Sequence, residues 1–215
     1  MVQHDVKLHL PLDRMLRALR LSRPRWLALA NPNNPTGTMI PRDHLRTILR
    51  AAPATLVLVD EAYFDYSGET MLPWIRRFPN LVVARTFSKA YGLAGLRLGA
   101  LFAHRETTGW MRRAHAVFPV NSMALAAALG AIRHPDEVER HARQVRENRA
   151  RVCQGLESLG VPHSPSAGNF VFACFGRKAR RLPVSWPKTA LTCAIGVAIP
   201  NCSPIFESAS APVPK

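Results

Sequence analysis

Three short apolar runs in series constrain the fold of this chain more than any other feature. Trp26-Leu27-Ala28-Leu29-Ala30 leads into Asn31-Pro32-Asn33-Asn34-Pro35-Thr36-Gly37. Thr55-Leu56-Val57-Leu58-Val59 leads into Asp60-Glu61-Ala62-Tyr63, and Asn80-Leu81-Val82-Val83-Ala84 into Arg85-Thr86-Phe87-Ser88-Lys89. Continuous apolar runs of this length, bounded by turn residues, predict strands buried on both faces of a parallel sheet. Between the first two runs, Pro41 to Arg50 predicts a helix. Proline suits its first turn, and Leu45, Ile48 and Leu49 form an apolar stripe at helical spacing. Strand, helix, strand is a βαβ unit. The expected fold class is therefore α/β, a mostly parallel sheet with flanking helices.

Downstream, Arg97 to Ala103 offers a further strand, His104 to His115 a short helix, and the alanine-rich stretch Val120 to Ile132 another helix. Pro135 to Leu159 predicts a long helix: proline opens it, Asp136 and Glu137 fall in its first turn, and Gly160 follows its end. Gly168 to Ala173 reads as a strand opening a smaller α+β domain. The expected organisation is a partial large domain over 1–117, helices and the start of a small C-terminal domain over 118–174, and a tail over 175–215. The tail carries the basic cluster Gly176-Arg177-Lys178-Ala179-Arg180-Arg181 and then scattered prolines and serines. That composition predicts poor order.

Composition narrows the function classes. Hydrophobic content of 47% over 215 residues supports a real core. No apolar run approaches the roughly 20 residues of a membrane helix. The start, Met1 to Lys7, has no apolar signal core, so a cytoplasmic protein with no membrane partner is expected. Cys153, Cys174, Cys193 and Cys202 form no CxxC pair, and no metal site is expected. The net charge of +15 raises nucleic acid as a partner. The arginines are spread through helical stretches rather than gathered with aromatics, so no nucleic-acid function is expected.

The chemistry lies at the strand ends. In parallel α/β sheets, ligands bind beyond the carboxyl ends of the strands. Three successive ends would aim Asn34, Asp60 with Tyr63, and Lys89 into one crevice. Thr86 and Ser88 stand just before the lysine, and Arg97 eight positions after it. This set matches pyridoxal phosphate. Lys89 would take the aldehyde, Asp60 the ring nitrogen, and Asn34 and Tyr63 the phenolic oxygen; Thr86, Ser88 and Arg97 would hold the phosphate. Each residue also has a plainer reading. Lys89 alone reads as a solvated lysine, Asp60 and Asn34 as turn formers, Arg97 as a helix-end partner, and Thr86 and Ser88 as backbone caps. Tyr91 reads as packing, and Glu61 either orients neighbours or faces solvent. The histidines show no ligand spacing.

The blocks Asn31-Pro32-Asn33-Asn34-Pro35-Thr36-Gly37, Asp60-Glu61-Ala62-Tyr63 and Thr86-Phe87-Ser88-Lys89 through Arg97 resemble the signatures of class I/II aminotransferases of fold type I. Their wording and order are most similar to histidinol-phosphate aminotransferases, and the resemblance runs to about Phe172. It implies pyridoxal phosphate held by Lys89, Asn34, Asp60, Tyr63, Thr86, Ser88 and Arg97, with Lys89 catalytic. It implies an amino-acid or amino-phosphate donor such as histidinol phosphate, a 2-oxo acid such as 2-oxoglutarate, and a homodimer. Another class I/II aminotransferase, a related pyridoxal phosphate decarboxylase, and a piece without activity of its own are the alternatives. The family places further sequence before the residue matched by Met1, and an arginine-bearing strand after the one ending near Phe172. Neither is found, so the expectation is a chain truncated at its start and diverged or frameshifted near its end. Such a chain should expose apolar faces and associate.

Overall fold

The computed structural model describes residues 10–114, 116 and 119–175. Its centre is a sheet in the order β1 (Trp26–Ala30), β2 (Leu56–Asp60), β3 (Leu81–Thr86) and β4 (Gly99–Ala103). The first three strands are parallel, with Trp26 beside Leu56 and Asp60 beside Ala84. β4 returns antiparallel, placing Thr86 opposite Gly99. A Cβ at Gly99 would lie 2.9 Å from the Arg85 carbonyl oxygen, so glycine permits this close return.

The helix expected between the first two runs is α2 (Arg42–Ala51), which buries Leu45, Ile48 and Leu49. Beside it, α1 (Leu12–Ser22) buries Met15 and Leu19. Both pack into one core with Leu29, Val57, Val59, Leu81 and Val83, which share one face of the sheet. Side chains alternate along a strand, so the register puts Trp26, Leu56 and Leu101 on the opposite face. There Trp26 is 65% exposed and Leu101 54%. Burial on both faces thus holds in β3, where Leu81, Val82 and Val83 are all buried, and fails at Trp26, Leu56 and Leu101. An apolar run encodes a strand; whether a second layer covers it depends on other parts of the chain.

The remaining helices are α3 (Phe64–Ser67), α4 (Arg105–Arg113), α5 (Ser122–Arg133) and α6 (Pro135–Ser158). The last three fall where periodicity and caps predict them. α6 packs on α3, burying Ala142 with Tyr63 and Tyr66. α5 seats Ala124 and Ala128 against Leu98. The strand expected at Gly168 to Ala173 does not form. The segment folds back on itself through a lone antiparallel bridge between His163 and Ala173, with the Ser164 N–H bonded to the Phe172 carbonyl at 2.8 Å. A strand needs a neighbouring ladder, and this segment instead packs on the loop after β1. The expected tail lies outside the described residues, apart from Phe175. Among the described residues, no helix is long and apolar enough to cross a membrane, and no His, Cys, Asp or Glu cluster could hold a metal ion.

Candidate active site

The site grows out of the carboxyl ends of β1, β2 and β3. After β1, the backbone N–H of Asn31 donates to the Asp60 carbonyl at 2.9 Å, tying the first two strand ends together. The Asn31 side-chain oxygen accepts from the Ile40 N–H, and the Asn33 amide donates to the Thr36 hydroxyl at 2.7 Å. Gly37, at φ +74°, closes the loop with its N–H on the Asn33 carbonyl. The segment after α6 buttresses it: Ala167 N–H donates to the Gly37 carbonyl, and the Ser164 hydroxyl to the Thr36 carbonyl. This leaves Asn34 at an exposed turn, where its Nδ2 donates to the Tyr63 hydroxyl at 2.9 Å.

After β2, the Asp60 carboxylate accepts from the Ala62 N–H at 3.0 Å. That Asx turn bends the chain into Tyr63 and α3. Tyr63 is 6% exposed. Its ring meets Phe170 edge-on at 5.1 Å between centroids, an aromatic contact that fixes the plane of the phenol. Asp60 itself stays exposed. Nearby, burial raises the Asp65 carboxyl above its ordinary range, opposed by the Arg85 charge. Burial, then the charge of Asp65, pushes the Tyr66 phenol up to about 12.

After β3, the Thr86 hydroxyl accepts from the Ser88 N–H at 3.0 Å, starting a turn that Gly92 completes by donating to the Lys89 carbonyl. Gly92 has φ +69°, which only glycine adopts without strain. Ala90 is buried beside Tyr63, and Phe87 stacks at a tilt on Tyr91, 4.8 Å away. The half-buried Lys89 ammonium thereby sits 5.3 Å from the Tyr63 ring centroid.

Direct contacts thus join Asn34, Tyr63 and Lys89, while Asp60 occupies the strand end between them. Thr86 and Ser88 pair with each other one turn away. Arg97 stands apart from this group. It is exposed, lies at φ +54°, and donates from Nη1 to the Ala94 carbonyl at 3.1 Å. An amine, a phenol bonded to an amide, and a carboxylate at adjacent strand ends can bind a flat polar ligand and attack its carbonyl.

Sequence reasoning missed the support beneath this group. Phe170, which follows α6 in the sequence, reads from sequence only as part of a strand. Arg149 on α6 anchors its segment by donating to the Gly168 carbonyl. For Glu61, read as orienting neighbours or facing solvent, only the partner was missed: it is 1% exposed and pairs with Arg85. Strand alternation could have revealed this pair: Glu61 follows Asp60 and Arg85 precedes Thr86, so both must face away from the site residues.

A family profile for aminotransferase class I and II matches residues 2–204. A histidinol-phosphate aminotransferase of Cupriavidus pinatubonensis is 44% identical over 170 residues, covering 77% of this chain and 45% of that protein. One from Nitrosococcus oceani is 42% identical over 165 residues, covering 74% and 44%. The crystal structure of histidinol-phosphate aminotransferase from Sinorhizobium meliloti, solved with pyridoxal-5'-phosphate, superposes with a TM-score of 0.73 at 29% identity, over 79% of this chain and 47% of that one. The chain spans about half the length of the curated relatives it matches. On these matches the chain belongs to the class I and II aminotransferases.

Proposed function

We propose that this chain carries the cofactor-holding half of a pyridoxal phosphate-dependent aminotransferase. Its amino donor is histidinol phosphate, its acceptor a 2-oxo acid such as 2-oxoglutarate, and it works in the cytoplasm as part of a homodimer. The observation that carries this reading is the joined group Asn34, Tyr63 and Lys89, with the Asp60 carboxylate on the intervening strand end. The donor chemistry fits the cofactor. Lys89 supplies the amine for the aldehyde. Tyr63 and Asn34 supply donors for the phenolic oxygen, and Asp60 a carboxylate for the ring nitrogen. The turn Thr86 to Ser88 supplies hydroxyls for the phosphate, joined by Arg97 when its guanidinium leaves the Ala94 carbonyl.

Bound there, pyridoxal phosphate supplies an electron sink for the substrate α-carbon. Lys89 then has two tasks: it holds the cofactor in the resting protein and, once displaced, moves a proton at the α-carbon. Tyr63 keeps one orientation because Phe170 and Asn34 hold its ring and its hydroxyl.

Cofactor titration tests the reading. Adding pyridoxal phosphate to the folded chain should give the visible band of a lysine-bound cofactor, absent in Lys89→Ala. Histidinol phosphate should bleach the band and 2-oxoglutarate restore it. A folded wild-type chain with no band at saturating cofactor would sink the proposal.

A further inference from the structure

Behind the site, on the opposite side of the same strand ends, lies a buried charged network that the proposed chemistry does not use. Glu61 is 1% exposed, and its Oε2 accepts from Arg85 Nε and Nη2, each at 3.2 Å. The Thr70 hydroxyl donates to Glu61 Oε2 at 2.7 Å and accepts from Arg85 Nη2 at 2.8 Å. Glu61 Oε1 accepts from the Met71 N–H at 2.6 Å. The Arg85 guanidinium lies 3.4 Å over the Phe64 ring. Every polar atom of the Glu61 carboxylate is thus engaged, as a buried charge requires.

The location of this network matters more than its strength. The β2–β3 ladder ends at Asp60 beside Ala84, with one further bond from the Glu61 N–H to the Ala84 carbonyl at 2.8 Å. Beyond that point no ladder sets the distance between the two chains. Asp60 immediately precedes Glu61, and Thr86 immediately follows Arg85. The ion pair is therefore the first link after the sheet runs out, and it joins the two segments that carry Asp60 with Tyr63 and Thr86 with Lys89. The stacking of Arg85 on Phe64 adds a second hold on the residue next to Tyr63.

We propose that Glu61 and Arg85, bridged by Thr70, are positioning residues for the cofactor: their pairing sets the spacing between the Asp60–Tyr63 turn and the Lys89 turn. This rests on the cofactor reading given above. Neither residue touches the cofactor; each acts through the strand end it holds. Displacements well under 1 Å weaken such a site, so loss of the pair should cost about tenfold in affinity.

The test uses the 215-residue chain and pyridoxal phosphate. Glu61→Gln, Arg85→Gln and the double variant are titrated for cofactor affinity by the lysine-bound band. Visible circular dichroism at saturation reports ring orientation, and the apo forms are melted. Each single variant should bind about tenfold more weakly, with an altered dichroic band per bound cofactor. The double variant should be no weaker than either single, because both act through one pair. Thr70→Val, isosteric and uncharged, should show the same change in smaller degree and carries the test if removing a charge unfolds the chain. Lower melting temperatures with wild-type affinity and dichroism would overturn the proposal, as would losses that multiply in the double variant. If wild type binds and Lys89→Ala loses the band while these variants match wild type, only this proposal fails. If wild type gives no band, the cofactor reading fails and takes this proposal with it.

Discussion

Gly37→Ala should destabilise the chain by a specific collision. Gly37 sits at φ +74°, and a Cβ built there would lie 2.3 Å from the Ser166 hydroxyl oxygen, 2.6 Å from its Cβ and 2.8 Å from its Cα. Two costs follow. Left-handed backbone at a non-glycine residue costs about 1–2 kcal/mol. Forcing a methyl into filled space costs about 1–3 kcal/mol more, since the Ser166 backbone must move. The sum is about 2–5 kcal/mol. For a chain of this size each kcal/mol lowers the melting temperature by about 2–4 °C, so a mid-range cost of about 3 kcal/mol gives about 6–12 °C.

Denaturant titration in two backgrounds separates the terms. In Ser166→Gly the Oγ and Cβ overlaps vanish, while the φ cost and the Cα approach remain. The cost of Gly37→Ala should therefore fall by about 1 kcal/mol or more in that background. The same substitution should weaken pyridoxal phosphate binding, because Asn34 hangs on the loop that Gly37 closes. A cost below about 1 kcal/mol, or one that is equal in both backgrounds, would refute the claim that the 164–168 segment pins this loop.

Further outcomes follow from single contacts. Tyr63→Phe removes the hydroxyl that accepts from Asn34 at 2.9 Å; cofactor affinity should fall by about 0.5–1.5 kcal/mol, read from the band titration, with little change in melting. Asn80→Ala removes the Nδ2 donor shared by the carbonyls of Leu49, Ala52 and Thr55, of which Ala52 keeps the Thr55 N–H; urea unfolding should show a loss of about 1–3 kcal/mol. Asp65 has its folded-state pKa raised, chiefly by burial, so the folded state binds its proton more tightly than the unfolded state. Its contribution is unfavourable at neutral pH and fades as pH falls through the folded pKa toward about 4. Asp65→Asn should therefore stabilise at pH 7 by less than about 1 kcal/mol, allowing for solvent screening of a half-buried group, and the gain should vanish in melts near pH 3.5.

What the sequence disclosed and what it withheld divide along physical lines. Strand ends were legible because parallel strands are written as continuous apolar runs, and ligands bind beyond the carboxyl ends of such strands. Helices α2 and α6 were legible from local periodicity and proline placement. The uncovered side of β1, β2 and β4 was not, because Trp26, Leu56 and Leu101 look the same in sequence whether or not a layer covers them. Nor was the lone bridge at Ala173, since strand propensity is satisfied only by a partner elsewhere in the chain. Arg97 shows the same limit within the site. Its identity as an arginine fits a phosphate, but its φ of +54° and its bond to Ala94 are set by the turn after Gly92. The Glu61–Arg85 pair marks the opposite case. Alternation from Asp60 and from Thr86 puts both charges on the face behind the site, and two opposite charges brought together in a buried place must pair. Strand-end chemistry and the charges behind it are thus two readings of one alternation, and the second could have been drawn wherever the first was.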